Sequence, residues 1–229
     1  MTTGIVLQAR MGSQRLPGKI LKSMAGDPML ALVIERLKAS RTAHMVVLAT
    51  TDRAGDDPVA DLARAMQIEL FRGDEEDVLD RYARCSDRFG LTEIVRATGD
   101  NPFVDIEELD TLVGFRRTRQ LDYACAFPAF GSLLPVGIGV EVMTSGALAR
   151  SDREGKAPHH REHVNEYIQE SPSVFRQAVP ETPPEKAGPA MSFTIDTPEQ
   201  FARAESLLLR YRLEVGARHP TTDWLVAHG

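Results

Sequence analysis

The chain has 229 residues, of which 42% are hydrophobic and 26% charged, a composition typical of one soluble α/β domain or two small ones. It contains no run of 18 apolar residues and no leader-like N-terminus, so we expect neither a membrane-spanning nor a secreted protein. Its two cysteines, forty positions apart, exclude a disulfide framework and a cysteine-based zinc site, and they favour a cytoplasmic location.

Positive charge is concentrated at the start of the chain, although the net charge is −6. Residues 1–41 carry a net charge of +5, residues 42–110 carry −10, and the remainder carries −1. An acidic chain argues against nucleic acid as a partner, whereas the basic segment is where a small anion would bind. The acidic segment is expected to be mostly solvated helix surface.

Apolar runs alternate with helical patterns over the first half of the chain. The β-rich character of buried strands is found at residues 4–9, 45–50 and 92–98. Periodicity and capping residues predict helices at residues 28–40, 57–67, 76–89 and 106–119. This alternation predicts a mostly parallel sheet covered by helices on both faces, with ligands at the carboxyl ends of its strands.

The second half of the chain is less regular. Residues 127–139 are apolar and rich in turn-forming residues, which predicts a loop over the active face. Strands are expected at residues 122–126, 140–143, 174–179 and 191–195. Helices are expected at residues 144–150, with a threonine or serine cap, and at 158–170 and 197–211.

The strongest local signal is the segment LQARMGSQRLPGK, where the first strand runs into a basic loop. Backbone amides can approach a phosphate closely where Gly12 has no side chain, and Ser13 offers a hydroxyl. Positive charge would come from Arg10, Arg15 and Lys19. The spacing of the glycines excludes a Walker A loop. We predict a phosphate-binding loop, and the alternative is a solvated basic turn.

This loop resembles the signature of the cytidylyltransferases that activate sugars as CMP derivatives, the acylneuraminate and octulosonate enzymes. It is more similar still to their relatives named for spore coat polysaccharide synthesis protein F. The similarity continues in family order through ATTD, FRGDEEDVLDRY, VRATGDNP, REHV and IDTPEQ. The resemblance implies an α/β fold, a three-layer Rossmann-like and mostly parallel sheet of the nucleotide-diphospho-sugar transferase (GT-A-like) type. It implies one nucleotidyltransferase domain over residues 1–229, with 127–180 as an acceptor-side and dimerisation excursion.

The resemblance also implies a homodimeric, Mg²⁺-dependent enzyme that uses CTP to activate a small acidic sugar or a similar acceptor and releases pyrophosphate. The implied catalytic residues are Arg10, Lys19 and Asp100. The implied nucleotide-binding residues are Gln8, Ala9, Arg10, Met11, Gly12, Ser13, Arg15, Lys19, Thr51, Asp52, Arg72, Gly73, Thr98 and Gly99. The implied acceptor-binding residues are Asn101, Glu141, Arg161, Glu162 and His163.

Two aspartates that follow predicted strands are the expected magnesium ligands. Mg²⁺ usually takes one or two protein carboxylates together with phosphate oxygens and water. Asp100 and Asp196 match the positions that hold the metal in the resembled enzymes. Each also has a structural alternative, because Asp100 could cap a turn before Pro102 and Asp196 could cap the helix that follows it.

Several other residues have competing interpretations. The histidines of HHREHV, His159, His160 and His163, could share a helical face and bind zinc, or they could begin a surface or substrate-facing helix. The acids at residues 74–77 could simply complement a helix dipole. Arg96 could form a buried ion pair with Asp100 or Asp52.

One residue departs from the resembled pattern: Gly139 stands where relatives usually have an acidic residue. The sequence therefore does not identify the acceptor. Two other functions are considered, a sugar-nucleotide-dependent glycosyltransferase and a catalytically silent nucleotide-binding homologue. The glycosyltransferases commonly hold their metal with a DxD string, and the sequence has none. The presence of both candidate metal carboxylates argues against a silent homologue.

Overall fold

The computed structural model describes residues 1–229, which form nine strands and nine α-helices. The strands are β1 (Thr3–Gln8), β2 (Ser23–Met24), β3 (Asp27–Pro28), β4 (Met45–Thr51), β5 (Glu69–Gly73), β6 (Glu93–Thr98), β7 (Tyr123–Cys125), β8 (Glu141–Thr144) and β9 (Gln177–Ala178). The helices are α1 (Met29–Leu37), α2 (Asp57–Ala65), α3 (Val78–Arg88), α4 (Ile106–Thr118), α5 (Ser145–Glu154), α6 (Pro158–Glu162), α7 (Glu166–Glu170), α8 (Pro198–Val215) and α9 (Thr222–His228).

Seven strands form the central sheet, in the order β5-β4-β1-β6-β8-β7-β9. The strands from β5 to β6 are parallel, β8 is antiparallel to both of its neighbours, and β9 is parallel to β7. At the centre, Leu7 of β1 lies in register with Leu48 of β4 and Ala97 of β6. The predicted mostly parallel sheet is therefore confirmed.

Helices cover both faces of this sheet, which explains why β1 is apolar at every central position. Ile5 and Leu7 pack into one core with α1, α4 and α8, whereas Val6 packs into a second core with α3 and α5. All three side chains are 0% exposed. Since both faces are dry, the strand lacks the polar alternation of a half-exposed strand. This three-layer arrangement confirms the predicted α/β fold class.

The sequence analysis missed strand β5, which adds to the free side of β4. Only its last residue, Gly73, is buried, and it contains both Glu69 and Arg72, so it lacks an apolar run. The acids that follow do act locally, as one alternative proposed. The Asp77 side chain caps α3 by accepting a hydrogen bond from the Asp80 amide at 2.9 Å, and Asp74 accepts from two backbone amides at 2.8 Å.

The strand predicted at residues 191–195 is wrong. This segment forms only one isolated bridge, between Val136 and Ser192. Phe193 and Ile195 are buried, so the apolar alternation is real, but it arises from packing in the core that includes α8. The strand predicted at residues 174–179 is likewise reduced to the two residues of β9.

The helix predicted at residues 158–170 is broken into α6 and α7. His163 is extended (φ −116°, ψ 109°), and the following Val164 is completely buried. The helical pattern is thus interrupted at His163, next to a buried apolar side chain. By contrast, the predicted cap of α5 is confirmed, because the Thr144 hydroxyl accepts a hydrogen bond from the Ala147 amide at 3.0 Å. No helix combines the length and apolar character that a bilayer-spanning segment needs.

Gly139 lies where β7 and β8 come together, and there is no space for a side chain at this position. The Ala126 amide donates to the Val140 carbonyl at 2.9 Å, and a Cβ on Gly139 would collide with the Ala126 carbonyl oxygen. An acidic residue therefore cannot occupy this position without a shift of the backbone.

We expect Gly139→Ala to lower the free energy of unfolding by about 1–3 kcal/mol, because the added methyl has no space. Gly114, inside α4, has no atom within 4 Å of an added Cβ and serves as the control. Gly114→Ala should raise stability by about 0.5–1 kcal/mol through helix propensity. Urea denaturation of both variants tests this, and a Gly139→Ala protein as stable as the wild type would contradict it.

Candidate active site

Two loops meet at the carboxyl ends of the central strands. The loop after β1 and the turn after β6 are joined by a hydrogen bond from the Gly99 amide to the Gln8 carbonyl, at 2.8 Å. A Cβ on Gly99 would lie 2.9 Å from the Ala9 Cβ, so only glycine allows this close approach. The basic loop and Asp100 are thereby placed side by side.

The Lys19 ammonium lies at the centre of this meeting point. It donates to the Ile195 carbonyl at 2.6 Å, to Asp196 Oδ1 at 3.0 Å and to Asp100 Oδ2 at 3.3 Å. Gly18, in the left-handed region at φ 68°, introduces the 3₁₀ turn that carries this lysine. The Lys19 side chain is only 9% exposed. Three segments that are distant in sequence therefore converge on one buried cation.

Neither aspartate is a backbone cap, so both capping alternatives are wrong. Helix α8 is capped by Thr197, whose hydroxyl accepts from the Gln200 amide at 3.3 Å. Asp196 instead pairs with Arg15 at 3.0 Å, in addition to Lys19. Asp100 Oδ1 accepts from the Thr98 hydroxyl at 2.7 Å, and no backbone amide donates to this carboxylate. Both carboxylates thus face the cationic side chains of the loop.

A short side-chain network fixes the orientation of Asp100. The Asn101 amide donates to the Thr98 hydroxyl oxygen at 2.9 Å, which leaves that hydroxyl hydrogen directed at Asp100. Thr194 in turn donates to the Asn101 side-chain oxygen at 2.8 Å. Thr194 and the Ile195 carbonyl are parts of the site that the sequence analysis missed. A backbone carbonyl has no residue-type signal, so pattern reasoning could not have identified the latter.

The rest of the basic loop is more open. Arg10 is 46% exposed and lies 3.3 Å from Glu75, and the Met11 amide donates to Asp56 at 2.7 Å. The Ser13 hydroxyl oxygen accepts from the Leu16 amide at 3.3 Å. The Gln8 side-chain oxygen is buried without a hydrogen-bond partner. Arg10 and the Ser13 hydroxyl hydrogen therefore remain accessible to an anion.

An open cleft of about 670 Å³ borders this loop. Its walls bring a predicted nucleotide residue, Arg10, together with two predicted acceptor residues, Arg161 and Glu162. The acids at residues 74–77 also line this cleft, and a neighbouring space of about 360 Å³ that shares three of them also contains the predicted Asp52. The cleft is therefore acidic. Its two cationic side chains are Arg10, which belongs to the loop, and Arg161.

Other predicted nucleotide residues shape the turn beyond β4. Arg72 donates to the Thr51 and Arg53 carbonyls at 2.8 and 2.7 Å and pairs with Asp57 at 2.6 Å. The Thr51 hydroxyl donates to Asp56. Gly73 is buried, and an added Cβ would lie 3.1 Å from the Arg81 side chain. Their binding of nucleotide stays a prediction, since the Arg72 side chain already has protein partners.

The predicted acceptor residue Arg161 uses all of its N–H donors within the protein. It pairs with Asp77 and Asp152 at 2.7 Å and also donates to the carbonyls of Asp152 and Gly155. It thereby ties α6 to the cap of α3 and to the end of α5. A direct contact with an acceptor stays a prediction that would require these bonds to rearrange.

The histidines do not share one face. His159 and His160 contact Glu170 at 3.0 and 2.8 Å, whereas His163, beyond the helix break, lies 4.0 Å from Glu166. The Ala157 amide donates to His160 Nδ1 at 3.3 Å, so in the neutral ring Nε2 carries the proton that faces Glu170. A zinc ion bound at Nε2 would move that proton to Nδ1. The Ala157 amide could then no longer donate to Nδ1. The side chains that come together are His159, His160 and Glu170, and His163 lies outside this group, so the three-histidine zinc alternative is wrong.

Glu141 is completely buried and belongs to a polar network beneath the site. Arg96 pairs with it at 2.7 Å, the Tyr123 hydroxyl donates to it, and Gln169 donates to that hydroxyl at 2.7 Å. The alternative pairing of Arg96 with Asp100 or Asp52 is wrong. Burial has the largest single effect and would lower the pKa of Arg96, but Glu141, Tyr82 and Tyr123 together outweigh it and the pKa is raised. Tyr123 was missed because a buried tyrosine in a strand carries no separate functional signal.

We expect Arg96→Met to destabilise the protein by about 3–5 kcal/mol, because it leaves the Glu141 charge buried without a partner. The exposed Arg150–Glu154 pair, at 2.9 Å, offers a control, and Arg150→Ala should cost less than about 1 kcal/mol. Guanidinium unfolding measures both. If both variants lost the same small amount of stability, the buried Arg96–Glu141 pair would contribute no more to the free energy of unfolding than an exposed pair does.

Taken with the sheet, this geometry defines a class of protein. In this chain a central strand of a Rossmann-like sheet leads into a basic loop, and two aspartates lie beside that loop at the same edge of the sheet. This arrangement is typical of nucleotide-binding α/β enzymes. The solved structures that this chain resembles include nucleotidyltransferases, one of them a nucleotidyl transferase from Methanothermobacter thermautotroptrophicus (TM-score 0.68, 16% identity, 91% of this chain and 98% of that chain). At that identity the likeness shows the fold alone.

The family follows from the sequence comparison: the chain belongs to the cytidylyltransferase family, whose model matches residues 4–218. It is 33% identical to the spore coat polysaccharide biosynthesis protein SpsF of Bacillus subtilis over 207 residues, 88% of this chain and 84% of that protein. A solved cytidylyltransferase from Leptospira borgpetersenii is 30% identical, with a TM-score of 0.89 over 99% of this chain and 93% of its own. The predicted family and the predicted nucleotidyltransferase class are confirmed.

Proposed function

We propose that this cytidylyltransferase uses CTP to convert a small acidic sugar, or a similar acceptor, into its CMP derivative with release of pyrophosphate. The observation that carries the proposal is the convergence of Asp100 and Asp196 on Lys19 beside the basic loop. The relationship to SpsF, whose name refers to polysaccharide biosynthesis, supports a sugar-like acceptor.

The site fits a magnesium ion. The three hydrogen-bond acceptors of the Lys19 ammonium are oxygen atoms, from two carboxylates and one carbonyl, and such hard ligands suit Mg²⁺. Asp100 and Asp196 would hold the ion. When bound, Mg²⁺ supplies charge neutralisation at the phosphates and makes the acceptor oxygen more acidic.

The chain's own residues would bind and orient the reactants. The acceptor hydroxyl gives up its proton to solvent, and its oxygen attacks the α-phosphorus of CTP while the bond from this phosphorus to the oxygen that bridges to the β-phosphate breaks. That oxygen leaves with the electron pair as part of pyrophosphate. Arg10 and Arg15, both exposed on the loop, would neutralise the leaving group. Since most of such catalysis is positional and electrostatic, the site needs no protein nucleophile.

The acceptor would enter the cleft lined by residues 74–77 and α6, with its hydroxyls toward the acids of the cleft and its own acidic group toward Arg10. Glu162 lines this cleft and His163 follows directly, so both are available to sugar hydroxyls. Asn101 lies beside Asp100 and would position the acceptor oxygen near the α-phosphorus. Glu141 is buried, so we assign it an indirect role, in which it holds Arg96 in place.

CTP with Mg²⁺ should stabilise the fold more than other nucleoside triphosphates or UDP-sugars do. At a ligand concentration a hundred times its dissociation constant, the added stability is about 2.7 kcal/mol. A thermal-shift screen of nucleotides with and without Mg²⁺ measures this. Stabilisation by UDP-sugars but not by CTP would favour a glycosyltransferase instead.

Asp196→Asn and Asp100→Asn should each lower turnover at least about a hundredfold, because each removes a carboxylate from the proposed metal site. The double variant should lose much less than the product of the two single losses, since one site is shared. Thr197→Ala is the control: it removes the cap of α8, so it should cost about 1 kcal/mol of stability and spare most turnover. Multiplicative losses, or an active Asp196→Asn enzyme, would argue against the shared site.

We also propose that the protein is a homodimer that pairs through residues 127–180. Phe130, Leu133 and Val136 are 43%, 49% and 42% exposed, and such neighbouring apolar side chains favour contact with another surface. Light scattering at micromolar concentration should give twice the monomer mass, and Leu133→Glu should reduce it. A monomeric mass for the wild-type protein would contradict the proposal.

A further inference from the structure

Lys19 occupies the point at which both candidate metal ligands are directed. An ammonium group has three donors, and Lys19 has three oxygen acceptors: the Ile195 carbonyl, Asp196 and Asp100. Its hydrogen-bonding capacity is therefore filled by the site. A divalent cation ligated by both carboxylates would need the same space and the same negative charge.

The ammonium of this contact is shielded from water, and the two carboxylates are partly exposed. With the Lys19 side chain only 9% exposed, its attraction to the carboxylates is screened less than that of a surface pair. Arg15 contacts Asp196 at 3.0 Å, as Lys19 does, but the Arg15 side chain is 68% exposed. Lys19 and Arg15 thus carry the same charge and lie at the same distance from Asp196. They differ in side-chain burial, and only Lys19 also contacts Asp100.

Lys19 also belongs to the loop proposed to bind phosphates. The Gly18 amide donates to the Met11 carbonyl at 3.4 Å, which keeps the backbone next to Lys19 inside that loop. The four-carbon lysine side chain is flexible, so its ammonium can change partners through side-chain rotation alone. The residue is therefore within reach of both the aspartates and a nucleotide bound on the loop.

We propose that Lys19 is an exchangeable counterion: it neutralises Asp100 and Asp196 until a divalent cation replaces it, and it then moves to the nucleotide phosphates. This inference rests on the proposed function. It makes metal and nucleotide binding mutually dependent, because each ligand stabilises the arrangement that the other requires. A metal ion that binds without nucleotide must displace the Lys19 ammonium from the aspartates while no phosphate is present to accept its hydrogen bonds. Nucleotide alone would draw Lys19 away and leave two bare carboxylates beside its phosphates.

Metal affinity without nucleotide tests the first half of the exchange. Mn²⁺ binding, followed by the electron paramagnetic resonance of the free ion, should be about tenfold or more tighter in Lys19→Met than in the wild type. Arg15→Met removes an equal charge at an equal distance from Asp196, but it should tighten binding less than about fivefold, the limit for an exposed pair. Equal tightening in the two variants would reduce the effect to general electrostatics and overturn the exchange.

Nucleotide affinity without metal tests the second half and does not depend on the folding of Lys19→Met. In EDTA, Asp196→Asn should bind CTP severalfold more tightly than the wild type, because Lys19 is less firmly held. Glu199→Gln removes an exposed charge three residues away and should leave CTP affinity unchanged. If both variants behave alike, the exchange is overturned while the proposed function stands. If CTP binds neither with nor without Mn²⁺, the proposed function itself is overturned.

Discussion

The attraction of two carboxylates to one buried ammonium organises the functional edge of this protein. Asp100 and Asp196 would repel each other if no cation lay between them, and Lys19 supplies that cation. The bonds to Lys19 join the loop after β1, the turn after β6 and the segment before α8. The parallel sheet places the first two of these side by side, since β1 and β6 end at the same edge, and the Ile195 amide joins the third by donating to the Asp100 carbonyl at 2.9 Å.

A second ion pair supports the same edge from within the sheet. Glu141 on β8 is completely buried and is neutralised by Arg96 on β6, two strands that lie side by side. The two pairs differ in what they permit. Arg96 is fixed by a buried partner, whereas Lys19 lies at the mouth of a basic loop and beside half-buried aspartates. Rigidity beneath the site and an exchangeable cation at its surface suit a reaction that depends on position and charge.

The parts of the fold that were predictable from sequence are those with a strong physical pattern. Strand β1 is buried on both faces and reads as an apolar run, and the cap at Thr144 marks the start of α5. Strand β5 has no such run, and the break after α6 lies next to one buried residue, Val164. These features are fixed by tertiary contacts, which a local pattern does not contain.

The same distinction applies to the site. Residue types and their order indicated the basic loop and the two aspartates. The loop and Asp100 follow β1 and β6 at one edge of the parallel sheet, whereas Asp196 follows a buried segment that pairs with no strand of the sheet. The sequence did not indicate their partners. Arg161 was expected to face an acceptor, yet its donors are satisfied by Asp77 and Asp152. A side chain takes the partners that packing places beside it, so its role depends on distances that only the structure gives.

The most direct test of this account is a crystal structure of the protein with CTP and Mn²⁺, with data collected for anomalous scattering from manganese. The account predicts one manganese peak bound by both Asp100 and Asp196, and the Lys19 ammonium on a phosphate of CTP. A manganese ion that contacts neither aspartate, or a Lys19 that still bridges both of them beside bound CTP, would contradict it.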